Sequence, residues 1–131
     1  MKYEEIVLMV RNTFENADAR TVFEHVAFEI DIEGEGAGAF YLEVAERSIC
    51  VEPYNYFDND GVVKVSGETL KDLCQRKYSF YEAWRDGKLR FYGNERKLKL
   101  CLDNIVLPGG KRKSLKQRLI TNISTKDKNV K

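Results

Sequence analysis

Histidine is almost missing from this chain. Its 131 residues include one, His25, with one Trp, two Pro, two Met and three Cys. Each shortage removes a class of function. A single histidine gives no H-x-x-x-H or H-x-x-E pattern for a metalloenzyme, and any Ser-His-Asp or Cys-His arrangement would have to be built on His25 alone. His25 precedes an alternating segment and reads as an ordinary residue at a strand entrance. Cys50, Cys74 and Cys101 are odd in number, widely spaced and without a C-x-x-C pair. That argues against a disulfide framework and a zinc site, and points to reduced, buried thiols in a cytosolic protein. No window approaches ~18 uninterrupted apolar residues, so no membrane-spanning helix is expected. Glu4 and Glu5 stand where a secretory apolar stretch would begin, and Asn129-Val130-Lys131 is no retention or peroxisomal address. A cytoplasmic location follows as the expectation.

What is present is enough for a core. Hydrophobic residues make up 43% and charged residues 33%, so the chain can bury apolar surface and still dissolve. The length suits one domain with a tail. The net charge of +1 hides a split. Residues 1–107 carry 14 Lys+Arg against 20 Asp+Glu, a net of −6, and residues 108–131 carry 8 against 1, a net of +7. An acidic body argues against nucleic acid as a partner. The basic tail, with Lys111–Lys113 and Lys116–Arg118, suits weak contact with an anionic membrane.

Periodicity sets the elements. Tyr3, Val7, Val10 and Phe14, widened by Ile6, predict an amphipathic helix over 2–16. Thr21 and Glu24 have capping-box spacing, which suits a short helical turn. Phe28, Ile30 and Ile32 alternate with charged residues. After Gly34–Gly38, Phe40, Leu42 and Val44 alternate again, which predicts a hairpin of strands 26–33 and 39–46. Further strands are expected at 48–54, 62–66 and 88–92. Pro53 should lie at a strand end or an edge. Leu70, Leu73 and Cys74 mark a helix over 67–77, and Ser79–Glu82 opens a short one through Trp84. Asn94 caps a helix to about 106 whose stripe is Leu98, Cys101, Leu102 and Ile105. Short links among the first four strands predict antiparallel neighbours, so the class is α+β, a sheet covered by helices. Leu115, Leu119, Ile120 and Ile123 could form a further short helix, with disorder from 124 onward.

Candidate chemistry is thin. Gly34–Gly38 leads into a strand and lacks Gly-Lys-Ser/Thr, so it reads as a hairpin loop and not a phosphate cradle. Asp58 and Asp60 lack the remaining ligands of a calcium loop. Glu29, Asp31 and Glu33 alternate on a wet strand face. The aromatics are not interleaved with Lys or Arg as a nucleic-acid track requires. No catalytic residue, metal or cofactor is expected.

Residues 62–102 are more specific. Val65-Ser66 leads into Glu68-Thr69-Leu70-Lys71-Asp72-Leu73. Ala83-Trp84, Gly87-Lys88-Leu89-Arg90 and Gly93-Asn94 follow, then a closing helix. This resembles the sterol carrier protein type-2 family of small lipid-binding domains, and the element order upstream matches too. The sequence departs from the pattern at Arg76, where the family usually carries Gly. The resemblance implies a mainly antiparallel five-stranded sheet under helices. It also implies an apolar tunnel for acyl chains, sterols or similar lipids, and no catalytic residues. A stand-alone domain of this composition suits a prokaryotic cytosol.

The expected organisation is therefore a lipid-binding domain over 1–107 and a basic tail over 108–131. The candidate lining is Val10 and Phe14 from the first helix and Phe28, Ile30, Phe40, Leu42 and Phe91 from strands. Trp84, Leu98, Leu102 and Ile105 complete it. The leading expectation is non-enzymatic binding and transfer of a lipid or other apolar small molecule. The alternative is an interaction or oligomerisation module with the same fold and a filled core, and a homodimer is left open. A small enzyme using a cleft near His25 is the third reading.

Overall fold

The computed structural model describes residues 1–111. Four helices and five strands follow in the order α1 Tyr3–Phe14, β1 Val26–Glu33, β2 Gly38–Ala45, β3 Ser48–Glu52, β4 Gly61–Ser66, α2 Gly67–Cys74, α3 Phe80–Arg85, β5 Leu89–Gly93 and α4 Glu95–Asn104. The strands form one sheet in the order β3-β2-β1-β4-β5. Alternation puts Phe28, Ile30, Ile32, Phe40, Leu42, Val44, Val51, Val63, Val65 and Leu89 on the buried face. α1 packs on β3 and α2, α2 on β4, and α3 on β5.

Local chemistry accounts for most boundaries. Ser66, Ser79 and Asn94 each accept a hydrogen bond from the backbone N–H three residues on, starting α2, α3 and α4. Gly34 and Gly36 take φ of 79° and 76° in the β1–β2 loop. β3 is an edge strand that stops at Glu52, short of the expected residue 54, and Pro53 lies just beyond its end. α1 stops at Phe14 and α2 at Cys74, each inside its expected span.

One pairing differs from expectation. β4 lies parallel to β1, in register from Phe28 with Gly61 to Glu33 with Ser66. The other three pairs are antiparallel. The sheet is mixed because the eight residues between β3 and β4 do not make a hairpin. They cross the outer face of β2 and β1, where the Tyr56 ring lies 5.1 Å from that of Tyr41 and its hydroxyl donates to Glu43 at 3.1 Å. Three strand spacings are roughly 14 Å, and eight extended residues reach roughly 26 Å, so the crossing is within range. Asp60 ends it by exchanging hydrogen bonds with Ala27: its N–H donates to Ala27 O at 2.7 Å, and its carboxylate accepts from Ala27 N at 2.9 Å.

Two other expectations change. Residues 15–25 contain turns and no helix. The Thr21 hydroxyl donates to Asn104 at 3.0 Å, and Glu24 is held by Arg96. α4 ends at Asn104, and Ile105 is extended with ψ of 127°. Pro108 disfavours helical backbone just before it, and Val106 exchanges backbone hydrogen bonds with Asp18 at 2.8 and 2.9 Å. Ile105–Leu107 is therefore a strap, not the last turn of a helix. No helix among the described residues is long and apolar enough to cross a membrane. The expected helix at 115–123, and the basic groups past Lys111, lie outside the described residues.

Candidate functional site

A cavity of about 130 Å³ lies between the buried face of the sheet and α4. Five strand residues, Phe28, Ile30, Leu42, Val63 and Leu89, form its floor. Val10 and Phe14 come from α1, Leu70 from α2 and Phe80 from α3. Leu98, Cys101 and Leu102 of α4, with Ile105 and Leu107 of the strap, close it. No lining residue carries a charge, carboxylate, imidazole or hydroxyl. A buried water needs two to four polar partners, so a cavity lined this way favours an apolar guest.

α4 is held over the cavity by polar ties more than by packing on strands. Near its start, the Lys97 ammonium reaches Asp60 Oδ1 at 2.9 Å and His25 O at 3.1 Å. Arg96 grips Glu24 with two bonds of 2.7 and 2.8 Å. Near its end, Tyr81 donates to Asp103 at 2.8 Å and Asn104 meets Thr21. Burial acts to raise the Asp60 carboxyl, but the Lys97 and Ala27 hydrogen bonds outweigh it and hold the group below its ordinary value. The half-exposed Tyr81 hydroxyl is pushed up by burial and by Asp103. The Cys101 thiol is pushed up to about 12, chiefly by burial, so it stays protonated and acts as a small apolar wall.

Of the sequence candidates, Val10, Phe14, Phe28, Ile30, Leu42, Leu98, Leu102 and Ile105 line the cavity. Phe40, Trp84 and Phe91 do not. Phe40 is fully buried core beside Ile30. Phe91 meets the wall residue Phe28 edge-on at 5.6 Å, and Trp84 packs behind Phe91 at 6.4 Å. Ile105 arrives on the strap. Val63, Leu70, Leu89 and Cys101 were visible as apolar positions of their elements but not as lining. Phe80 and Leu107 carried no periodic signal at all. Of the thiols expected to be buried, Cys101 is buried; Cys50 and Cys74 are half-buried, because Cys50 faces outward from β3 beside Glu52 and Cys74 ends α2. His25 stands at the entrance to β1, exposed, with Nε2 2.6 Å from Glu43. No group of three potential metal ligands is found among the described residues.

As a whole the fold matches solved structures at low sequence identity. The palmitated SCP2L2 of Aedes aegypti superposes with a TM-score of 0.60 at 15% identity, over 79% of this chain and 93% of that one. The fold is that of the sterol carrier protein 2 domain. The UbiJ-SCP2 ubiquinone synthesis protein matches this chain at a TM-score of 0.55 and 16% identity, covering 76% of it and 89% of that protein. The sec-alkylsulfatase Pisa1 from Pseudomonas sp. matches at 0.55 and 18% identity over 68% of this chain, which spans only 14% of the sulfatase. No family model matches this sequence, and no curated protein does.

Proposed function

We propose that this SCP2-like domain binds and carries a single-chain apolar lipid in the cavity beneath α4, with no chemistry on the guest. The uncharged cavity carries the reading. On the scale of core truncations, 130 Å³ left unfilled costs about 3 kcal/mol. A packed module would gain by filling it, and a carrier uses it. The mosquito SCP2L2 structure is palmitated, so a fold of this kind holds an acyl chain in that protein. Each buried methylene contributes about 0.8 kcal/mol, so affinity needs no catalytic group. In its closed form the cavity is of the order that takes a benzene-sized guest. A longer chain requires α4 and the strap to move outward, giving a tunnel. Three free thiols suit a cytosolic carrier.

Native mass spectrometry of the full chain, followed by lipid extraction, tests this. A co-purifying or added fatty acid bound at one per chain is expected. Mass of the bare chain alone, with every lipid tried, would favour the interaction-module reading.

A further inference from the structure

A second, open groove of about 350 Å³ adjoins the cavity, and Phe80, Leu102 and Leu107 line both. The groove is not apolar. Arg76 and Lys77 stand in it, with Glu82 as its one carboxylate. We propose that Arg76 and Lys77 hold the anionic head of a fatty acid whose chain passes the Phe80–Leu102–Leu107 wall into the cavity. This rests on the carrier reading and adds the class of lipid.

The charge at the groove is unclaimed. Arg11, Arg20, Arg85, Arg90 and Arg96 each pair with a carboxylate, and Arg47 lies over the Phe23 ring. Among the arginines of the described residues, Arg76 alone has neither partner there. Lys77 likewise pairs with no described carboxylate. Both side chains are exposed. A guanidinium offers paired N–H donors in the geometry a carboxylate accepts.

The fold also places these side chains at the cavity mouth. α2 ends in a Schellman turn, with Arg76 N–H donating to Leu73 O at 3.1 Å and Lys77 N–H to Asp72 O at 2.9 Å. Arg76 occupies the left-handed position with φ of 58°, where glycine fits without strain. Its guanidinium reaches the turn after the strap: a Cβ on Gly109 would lie 2.8 Å from Nη2. The same short segment therefore supplies Leu107 to the cavity wall and the surface beside the Arg76 head. Lys111 follows it, exposed, with the same sign of charge.

Binding of dodecanoic acid and 1-dodecanol to the full chain at neutral pH tests the inference, with Arg76→Gly and the double variant Arg76→Gly/Lys77→Gln. The wild type should prefer the acid by about tenfold, the scale of one hydrogen bond to a charged group. The double variant should lose that preference and keep the affinity for the alcohol. Arg76→Gly should melt no lower than wild type, because glycine suits the left-handed backbone, so lost preference cannot be put down to lost structure. Equal binding of acid and alcohol by the wild type, or an unchanged preference in the double variant, would overturn the head-group site and leave the carrier. Binding of neither ligand would overturn the carrier reading and this inference with it.

Discussion

Asp60 is the residue that joins the sheet to the cavity roof. It ends the crossover on β1 through Ala27 and holds α4 through Lys97. Its carboxyl titrates below the ordinary value because hydrogen bonds to the charged form outweigh burial. A depressed folded value means that the charged form stabilises the fold above the unfolded value of about 3.9. That contribution disappears as pH falls through the folded value. Asp60→Asn should lower stability at pH 7 by about 1–3 kcal/mol. Wild type and variant should converge as pH falls from about 5 to 2. Denaturant melts across that range provide the check; a gap that stays constant with pH would show that the carboxylate charge does not matter. None of this was legible beforehand. Asp58-Asn59-Asp60-Gly61 reads as turn chemistry, and nothing in four residues tells that one of them meets a lysine 37 positions away.

At the scale of elements, alternation and caps were legible because they are local. Period two located β1 and β2, and Ser79 and Asn94 started helices where their side chains suit N-caps. The parallel β1–β4 pair was not legible, since a link of eight residues suits a hairpin loop as well as a crossing. The stripe of α4 must face something apolar. Whether that is core or cavity depends on how far α4 stands from the sheet, which polar ties at its two ends decide. Leu102 is the element-scale probe, since it borders both cavity and groove. Overpacking a filled core costs roughly 1–3 kcal/mol. With volume to spare beside it, Leu102→Phe should melt within a few degrees of wild type while its capacity for a fluorescent fatty acid falls severalfold. A large drop in melting temperature with lipid binding intact would mark Leu102 as ordinary packing.

For the whole molecule, an acidic body and a basic tail place opposite charge at opposite parts of one small chain. The tail starts at Pro108, and its Gly109 lies against Arg76 of the groove, so contact of the tail with an anionic membrane would bring the groove toward lipid. Each basic residue near such a surface contributes at most about 1 kcal/mol. Full-length protein with Lys111, Arg112 and Lys113 changed to Gln should sediment less with anionic vesicles than wild type. The difference should shrink as salt screens it. Equal sedimentation on anionic and neutral vesicles would end the membrane role of the tail. The fold itself was recognisable from residues 62–102, because that stretch combines strand, caps and turns in a fixed order. The hollow was not, since the same apolar residues can fill a core or line a cavity.

Trp84 is the only tryptophan and packs behind Phe91, which meets the wall residue Phe28. It is a built-in donor for energy transfer to cis-parinaric acid, a fluorescent fatty acid. Titrating the full chain with that probe tests the carrier most directly. Saturable transfer from Trp84 at one probe per chain, reversed by palmitic acid, is the expected result. Transfer that never saturates, or that palmitic acid leaves unchanged, would contradict it.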